Sequence, residues 1–185
     1  MKLLRLTAIT SVLCLAACSR IEQPPVHVTA YKPVATVQDI MQSIIDPAAD
    51  PLWESVETTV TAKGTEERQP RTEEEWKTVR HQAITLIEGA NLLIMPERRV
   101  VHAGKSLEDA HVAGINKAED IQKLIDDNPA AFESYATALR AAGEQALSAI
   151  DARDVTGLVN AGGTIDAACE QCHLHYWYPN TFRPK

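Results

Sequence analysis

Apolar residues return every three or four positions along most of this chain, the spacing that gathers them on one face of a helix. The first stripe starts near Val34 and runs through Val37, Ile40, Met41, Ile44 and Ala48. Pro47 and Pro51 lie within it and must kink or interrupt the helix, because proline lacks an amide hydrogen and its ring crowds the carbonyl four residues back. Leu52, Trp53 and Val56 carry the apolar face onward. Residues 63–71 are polar, hold Gly64 and Pro70, and read as a loop. A second helix is predicted from Thr72, a good N-cap, with Glu75 three residues on to complete a capping box. Its buried face is Trp76, Val79, Ala83, Leu86, Ala90 and Leu93, widened by Ile87 and Ile94, and Pro96 stops it.

Residues 97–127 break the pattern with Gly104 and Gly114 and read as an insertion carrying a short helix over 118–126. A third long helix opens at Asn128-Pro129, an N-cap followed by proline in the first turn, where an amide hydrogen is not needed. Phe132, Tyr135, Ala136, Leu139, Ala142, Ala146, Leu147 and Ile150 form its buried side. A fourth follows Asp154, with Leu158, Gly162, Ile165, Cys169, Cys172 and Tyr176 on one stripe. Four long amphipathic helices without a strand pattern predict an all-α fold, an antiparallel four-helix bundle. Aromatic residues make up only 5% of the chain while alanine is abundant, which fits close helix packing.

The N-terminus reads as an export signal. Lys2 and Arg5 precede an apolar run over 6–17 that is too short to span a bilayer as a helix. It ends in Leu15-Ala16-Ala17-Cys18, which resembles the bacterial lipoprotein cleavage box. That resemblance implies removal of residues 1–17 and acylation of Cys18; Ser19 after the cysteine implies the outer membrane. Residues 18–33, with Pro24, Pro25 and Pro33, then form a lipid-anchored tether, and residues 34–185 form the domain. Taking Lys2 and Arg5 from the 18 basic residues leaves 16 against 25 acidic ones, a formal −9. An acidic chain without a basic cluster excludes nucleic-acid binding and favours a partner with a basic docking surface.

Processing also sorts the four cysteines. Cys14 leaves with the leader and Cys18 takes lipid, so Cys169 and Cys172 remain. With His173 they form Cys-x-x-Cys-His, the attachment signature of c-type haem. On a helix, residues three and four apart share a face, so both sulfurs can reach the vinyl groups on one edge of the porphyrin. His173 then turns its imidazole under the ring to hold the iron. A thioredoxin-like pair would precede a helix in a strand-rich fold. Adding His175 as a fourth zinc ligand would not serve, because four ligands within seven residues of one helix cannot surround the metal tetrahedrally. One covalent haem c is the expected cofactor.

A four-helix bundle with this motif near its C-terminus resembles the cytochrome c′ family over roughly residues 34–177, including its low-spin, Met-ligated branch. In that family the motif continues to a tyrosine or phenylalanine and then a basic residue. Tyr176 matches, but Trp177 stands in the basic position. The resemblance implies that the first helix supplies the residue on the far side of the iron. Met41 on that helix is the candidate distal ligand, with core filler as its other role. Met95, before Pro96, is the rival. A methionine ligand implies a one-electron carrier on the periplasmic face of a membrane; an open site implies a five-coordinate protein binding gases such as NO or CO. The family also implies homodimers.

The remaining histidines read as surface residues or as alternative iron ligands: His27 in the tether, His81 on a polar face, His102 and His111 in the insertion, and His175 pointing off the haem face. Arg98 and Arg99 read as a solvated pair or as partners for haem propionates. No acid–base pair recommends an enzyme; a peroxidase would need a distal acid–base group as well as an open iron.

Overall fold

The computed structural model describes residues 32–179. The leader, Cys18, His27 and the tether up to residue 31 lie outside them. The described residues are mostly helical, with one small two-stranded sheet.

The first helix begins at α1 (Val37–Ile40), three residues later than the apolar stripe implies. Thr36 caps it: its hydroxyl accepts from the Asp39 amide at 3.1 Å, and the Asp39 carboxylate accepts from the Thr36 amide at 2.8 Å. Such a box satisfies amides that a helix start leaves bare and is worth about 1 kcal/mol. Val34, 80% exposed, stays outside. The helix then passes through one wide π-helical segment, Met41–Ile45, into α2 (Asp46–Glu54). The Asp46 amide donates to the Met41 carbonyl, five residues back instead of four. Proline explains the place. Pro47 follows the segment directly, in the first turn of α2, and has no amide with which to continue the ladder, and Pro51 is carried inside the helix. The expected interruption is therefore one wide turn, and the stave runs on.

Residues 63–71, read as a loop, contain a strand. β1 (Thr58–Thr61) pairs antiparallel with β2 (Gly64–Glu67) across the two-residue link Ala62-Lys63. Three of the four β1 residues are threonine and the other is valine, and β-branched side chains favour extended backbone. The hairpin is exposed along both strands, so it shows no alternation of polar and apolar positions. Gly64 closes it at φ 134°, a conformation that suits glycine.

α3 (Glu73–Leu93) opens on Thr72 with the expected capping box and buries Trp76, Val79, Ala83, Leu86, Ala90 and Leu93, the predicted stripe. α5 (Pro129–Asp151) starts at Asn128, whose side chain accepts from the Ala131 amide. α6 (Val155–Tyr176) starts at Asp154 in the same manner. Only residues 152–154 join α5 to α6, so the two pack as an antiparallel pair. α5 also packs on α3, α3 on the α1–α2 stave, and α2 on α6. The insertion ends in α4 (Ala118–Asp127), which leans on α5.

Glycines let the helices approach closely, Gly89 and Gly162 among them. A Cβ at Gly89 on α3 would meet Ile44 Cγ2 at 2.9 Å and Ile45 Cγ1 at 3.0 Å. A Cβ at Gly162 on α6 would meet Trp53 Cδ1 at 3.1 Å; there the Trp53 indole donates to the Gly162 carbonyl at 3.0 Å. Ile44 and Ile45 belong to the π segment, and isoleucine is stiff at χ1, so they cannot yield cheaply. Gly89→Ala should therefore cost about 1–3 kcal/mol despite the better helix propensity of alanine. Gly163→Ala, where the added methyl meets open space, should hold or gain stability. Thermal melts of the two variants check the contrast.

Arg98 is neither solvated nor free for a propionate. It is 8% exposed, and its guanidinium donates to the Leu92 carbonyl at 2.6 Å, to the Ala35 carbonyl, and to Met95 Sδ at 3.2 Å. It satisfies the carbonyl end of α3 and ties the chain before α1 to it. Its burial, with no carboxylate among these partners, lowers its pKa.

Candidate functional site

The last two turns of α6 carry Cys169, Cys172 and His173, and their carbonyl end is well tied. The His173 carbonyl accepts from the amides of Trp177 at 2.7 Å and Tyr178 at 3.0 Å. Asn116, from the insertion, clasps the same terminus: its amide donates to the Trp177 carbonyl and its side chain to the Tyr176 carbonyl, both at 2.8 Å. The helix end that presents the histidine is thus held from two directions.

Two adjoining cavities open beside this turn, one of about 280 Å³ and one of about 220 Å³. Both are lined by Met41, Asp46, Phe132, Cys172 and His173, and Cys169 lines the smaller. Together they reach the size of small-molecule and cofactor pockets. Val37, Ile121 and Ile125 wall the larger; Ile45, Ala49, Trp53 and Leu139 wall the smaller.

The electrostatics follow from burial. The thiols are free, and desolvation pushes Cys169 up to about 11 and Cys172 up to about 12, with Asp46 and Asp166 adding to the first and Cys169 to the second. Both therefore stay protonated near neutral pH, and neither is a ready thiolate. Burial lowers the pKa of His173, while the carboxylates of Asp46, Glu170 and Asp109 pull it back up. The result favours neutral imidazole, the form that binds iron.

Met41 stands at the start of the π segment and lines both cavities. Met95 does not: it lines a separate cavity and receives the Arg98 guanidinium. His175 is exposed, tilted against the Tyr135 ring and edge-on to the Tyr176 ring, and lines neither cavity. His81 and His111 are exposed, and His102 pairs with the Asp39 carboxylate at 2.8 Å. Trp177 lines the larger cavity and Trp53 the smaller, while Trp76 belongs to the core.

Three residues escaped notice in the sequence. Asp46 is exposed at the rim of both cavities; desolvation by the walls raises its carboxyl above the usual range, and His173 opposes that. Its signal was a carboxylate at the edge of an apolar stripe, five residues after Met41. Asp109, from the insertion, accepts from the Trp177 indole at 3.1–3.2 Å. Tyr178 donates to Glu170 at 2.7 Å and packs its ring on His173 at 5.9 Å between centroids. Nothing local announced either contact.

The chemistry of this donor set fits a haem c: two thiols and an imidazole on one helical face, a thioether on another helix, and apolar walls between. The Tyr176 hydroxyl adds a mark of its own. Tyr176 lines the larger cavity, and its hydroxyl is buried with no hydrogen-bond partner among the described residues. A buried polar atom without a partner is costly unless a ligand or water meets it. Among the described residues no group of three or more His, Cys, Asp or Glu side chains converges to hold a metal ion. No described helix is long and apolar enough to cross a membrane. Compared with protein-family models, curated proteins and solved structures, the chain matches none of them.

Proposed function

We propose that this chain is a monohaem c-type cytochrome, an antiparallel four-helix bundle of the cytochrome c′ kind. In this reading it carries single electrons on the periplasmic side of a bacterial membrane. The observation that supports it most is the meeting of Cys169, Cys172 and His173 with Met41 around the same two cavities. The staves would be the α1–α2 helix, α3, α5 and α6, with the haem near the end of the last.

When bound, the haem supplies an iron that gains and loses one electron. Cys169 and Cys172 hold it by thioethers, so it stays with the chain where free haem is scarce. His173 offers neutral imidazole to the iron from α6, and Met41 offers a soft sulfur from the first helix. Phe132, Ile45 and Leu139 would give it apolar walls, and a thioether ligand favours the ferrous state. The rim carries Asp46, Glu108, Asp109, Asp166 and Glu170, while among the described residues no lysine or arginine lines either cavity. Such a rim steers a partner with a basic docking surface. Acylated Cys18 would hold the domain at the membrane, in the outer membrane by the Ser19 rule; a homodimer is the family's assembly.

The test uses the full chain, made in a host that attaches c-type haem. After acid-acetone extraction the colour should stay on the polypeptide, and the oxidised form should show low-spin bands with a weak near-infrared methionine–iron band. A polypeptide left colourless by the extraction overturns the haem reading.

A further inference from the structure

The residue after Tyr176 is where the family resemblance calls for a basic side chain, and this chain places Trp177 there. The structure supplies a charge at that spot by another route, and of the opposite sign. The insertion folds back so that Asp109 meets the Trp177 indole nitrogen with both carboxylate oxygens, at 3.2 and 3.1 Å. The loop is seated at several points. Leu107 is buried, the Glu108 amide donates to Gln38 at 3.0 Å, the Gln42 side chain donates to Glu108, and Asn116 clasps the end of α6.

Asp109 and Trp177 line the larger cavity with His173 and Met41, and the Trp177 ring centre lies 6.4 Å from that of His173. An indole donates a hydrogen bond but carries no charge. It brings no positive charge to the carboxylate, as a guanidinium or ammonium donor would.

We propose that Asp109, held by Trp177, is a positioning residue that sets the iron's reduction potential by fixing a negative charge beside the His173 imidazole. This rests on the haem reading above. Ferric haem carries one more positive charge than ferrous haem, so a fixed carboxylate stabilises the oxidised state and lowers the potential. The insertion thereby opposes the upward pull of the Met41 thioether.

The experiment is a spectroelectrochemical titration of the haem-loaded full chain. Asp109→Asn should raise the potential by about 59 mV, a tenfold change in the one-electron equilibrium, the scale expected for a unit charge several ångströms away in a partly screened site. Trp177→Phe, which keeps the charge but removes its anchor, should raise the potential part of the way. Asp109→Glu should keep it near the wild-type value, and Glu108→Gln, an adjacent carboxylate bonded elsewhere, should move it by less than half as much. An unmoved potential in Asp109→Asn overturns the proposal, and so does an equal shift in Glu108→Gln, which would mark a general surface-charge effect. Should Asp109→Asn fail to load haem, the Trp177→Phe titration decides: an unmoved potential there overturns it. A wild type that carries no covalent haem fails the underlying reading and this inference with it, whereas a loaded wild type with an unmoved Asp109→Asn fails this inference alone.

Discussion

Met41→Ala should turn a low-spin iron into a high-spin, five-coordinate or water-ligated one that takes up carbon monoxide readily. Met41 lines both cavities from the α1–α2 helix and His173 lines them from the neighbouring α6, so on the haem reading the loss of Met41 would leave the iron with one protein ligand fewer. A thioether is soft and neutral and stabilises ferrous iron, so the reduction potential should fall by on the order of 100 mV, nearly two decades in the one-electron equilibrium. Removing a half-buried methionine should also cost stability, about 2 kcal/mol, at the lower end for such truncations. Absorption spectra of both oxidation states, with and without carbon monoxide, read the result. A wild type that is already high-spin and binds carbon monoxide at once would overturn the ligand role of Met41. The five-coordinate, gas-binding reading would then take its place.

The second large effect is expected from the thiols. Replacing Cys169 and Cys172 together by alanine should release all haem into acid acetone, whereas either single replacement should leave one thioether or an unstable product. The double variant should also melt earlier, because on the haem reading the two cavities would lose the group that fills them. A non-covalent ligand at a thousand times its Kd stabilises by about 4 kcal/mol. For a chain of this size that is on the order of 10 °C in Tm. His173→Ala should keep the colour on the polypeptide but shift the spectrum, since attachment and iron ligation belong to different atoms. Full retention of haem by the double variant after extraction would sink the thioether assignment.

Much of the fold was legible because its signals are local. Thr72 with Glu75, Asn128 with Pro129, and Asp154 each announce a helix start within four residues, and each does so in the structure. The stripes on α3 and α5 were readable because three- and four-residue spacing is a property of the helix alone. The Cys-x-x-Cys-His run on which the haem reading rests is local in the same way, within five residues. What stayed hidden depends on distant partners or on a broken period. A turn five residues wide leaves no regular stripe, and the prolines that mark it announce an interruption without saying which kind. The hairpin over 58–67 buries nothing, so only its threonines spoke for it. Arg98 looked like a surface residue, yet it lies under the end of α3 because its acceptors are backbone carbonyls, which a sequence does not display. Asp109 reaches Trp177 across 68 residues of chain, and no local pattern encodes that meeting.

The π segment gives the first stave a discrete phase. One residue more per turn rotates everything beyond it by about 100° relative to a regular helix. Deleting one position between Met41 and Ile45 would restore regular winding. It would then leave the cap at Thr36 and the packing of α2 unable to hold their present azimuths together. The aim of the sulfur is therefore a matter of counting. Two chains alike in every core side chain, but differing by one residue here, would share an architecture and present different atoms to the cavity. In a lineage of such proteins, a single insertion or deletion at this turn would re-aim position 41, and on the haem reading it would convert a closed iron into an open one.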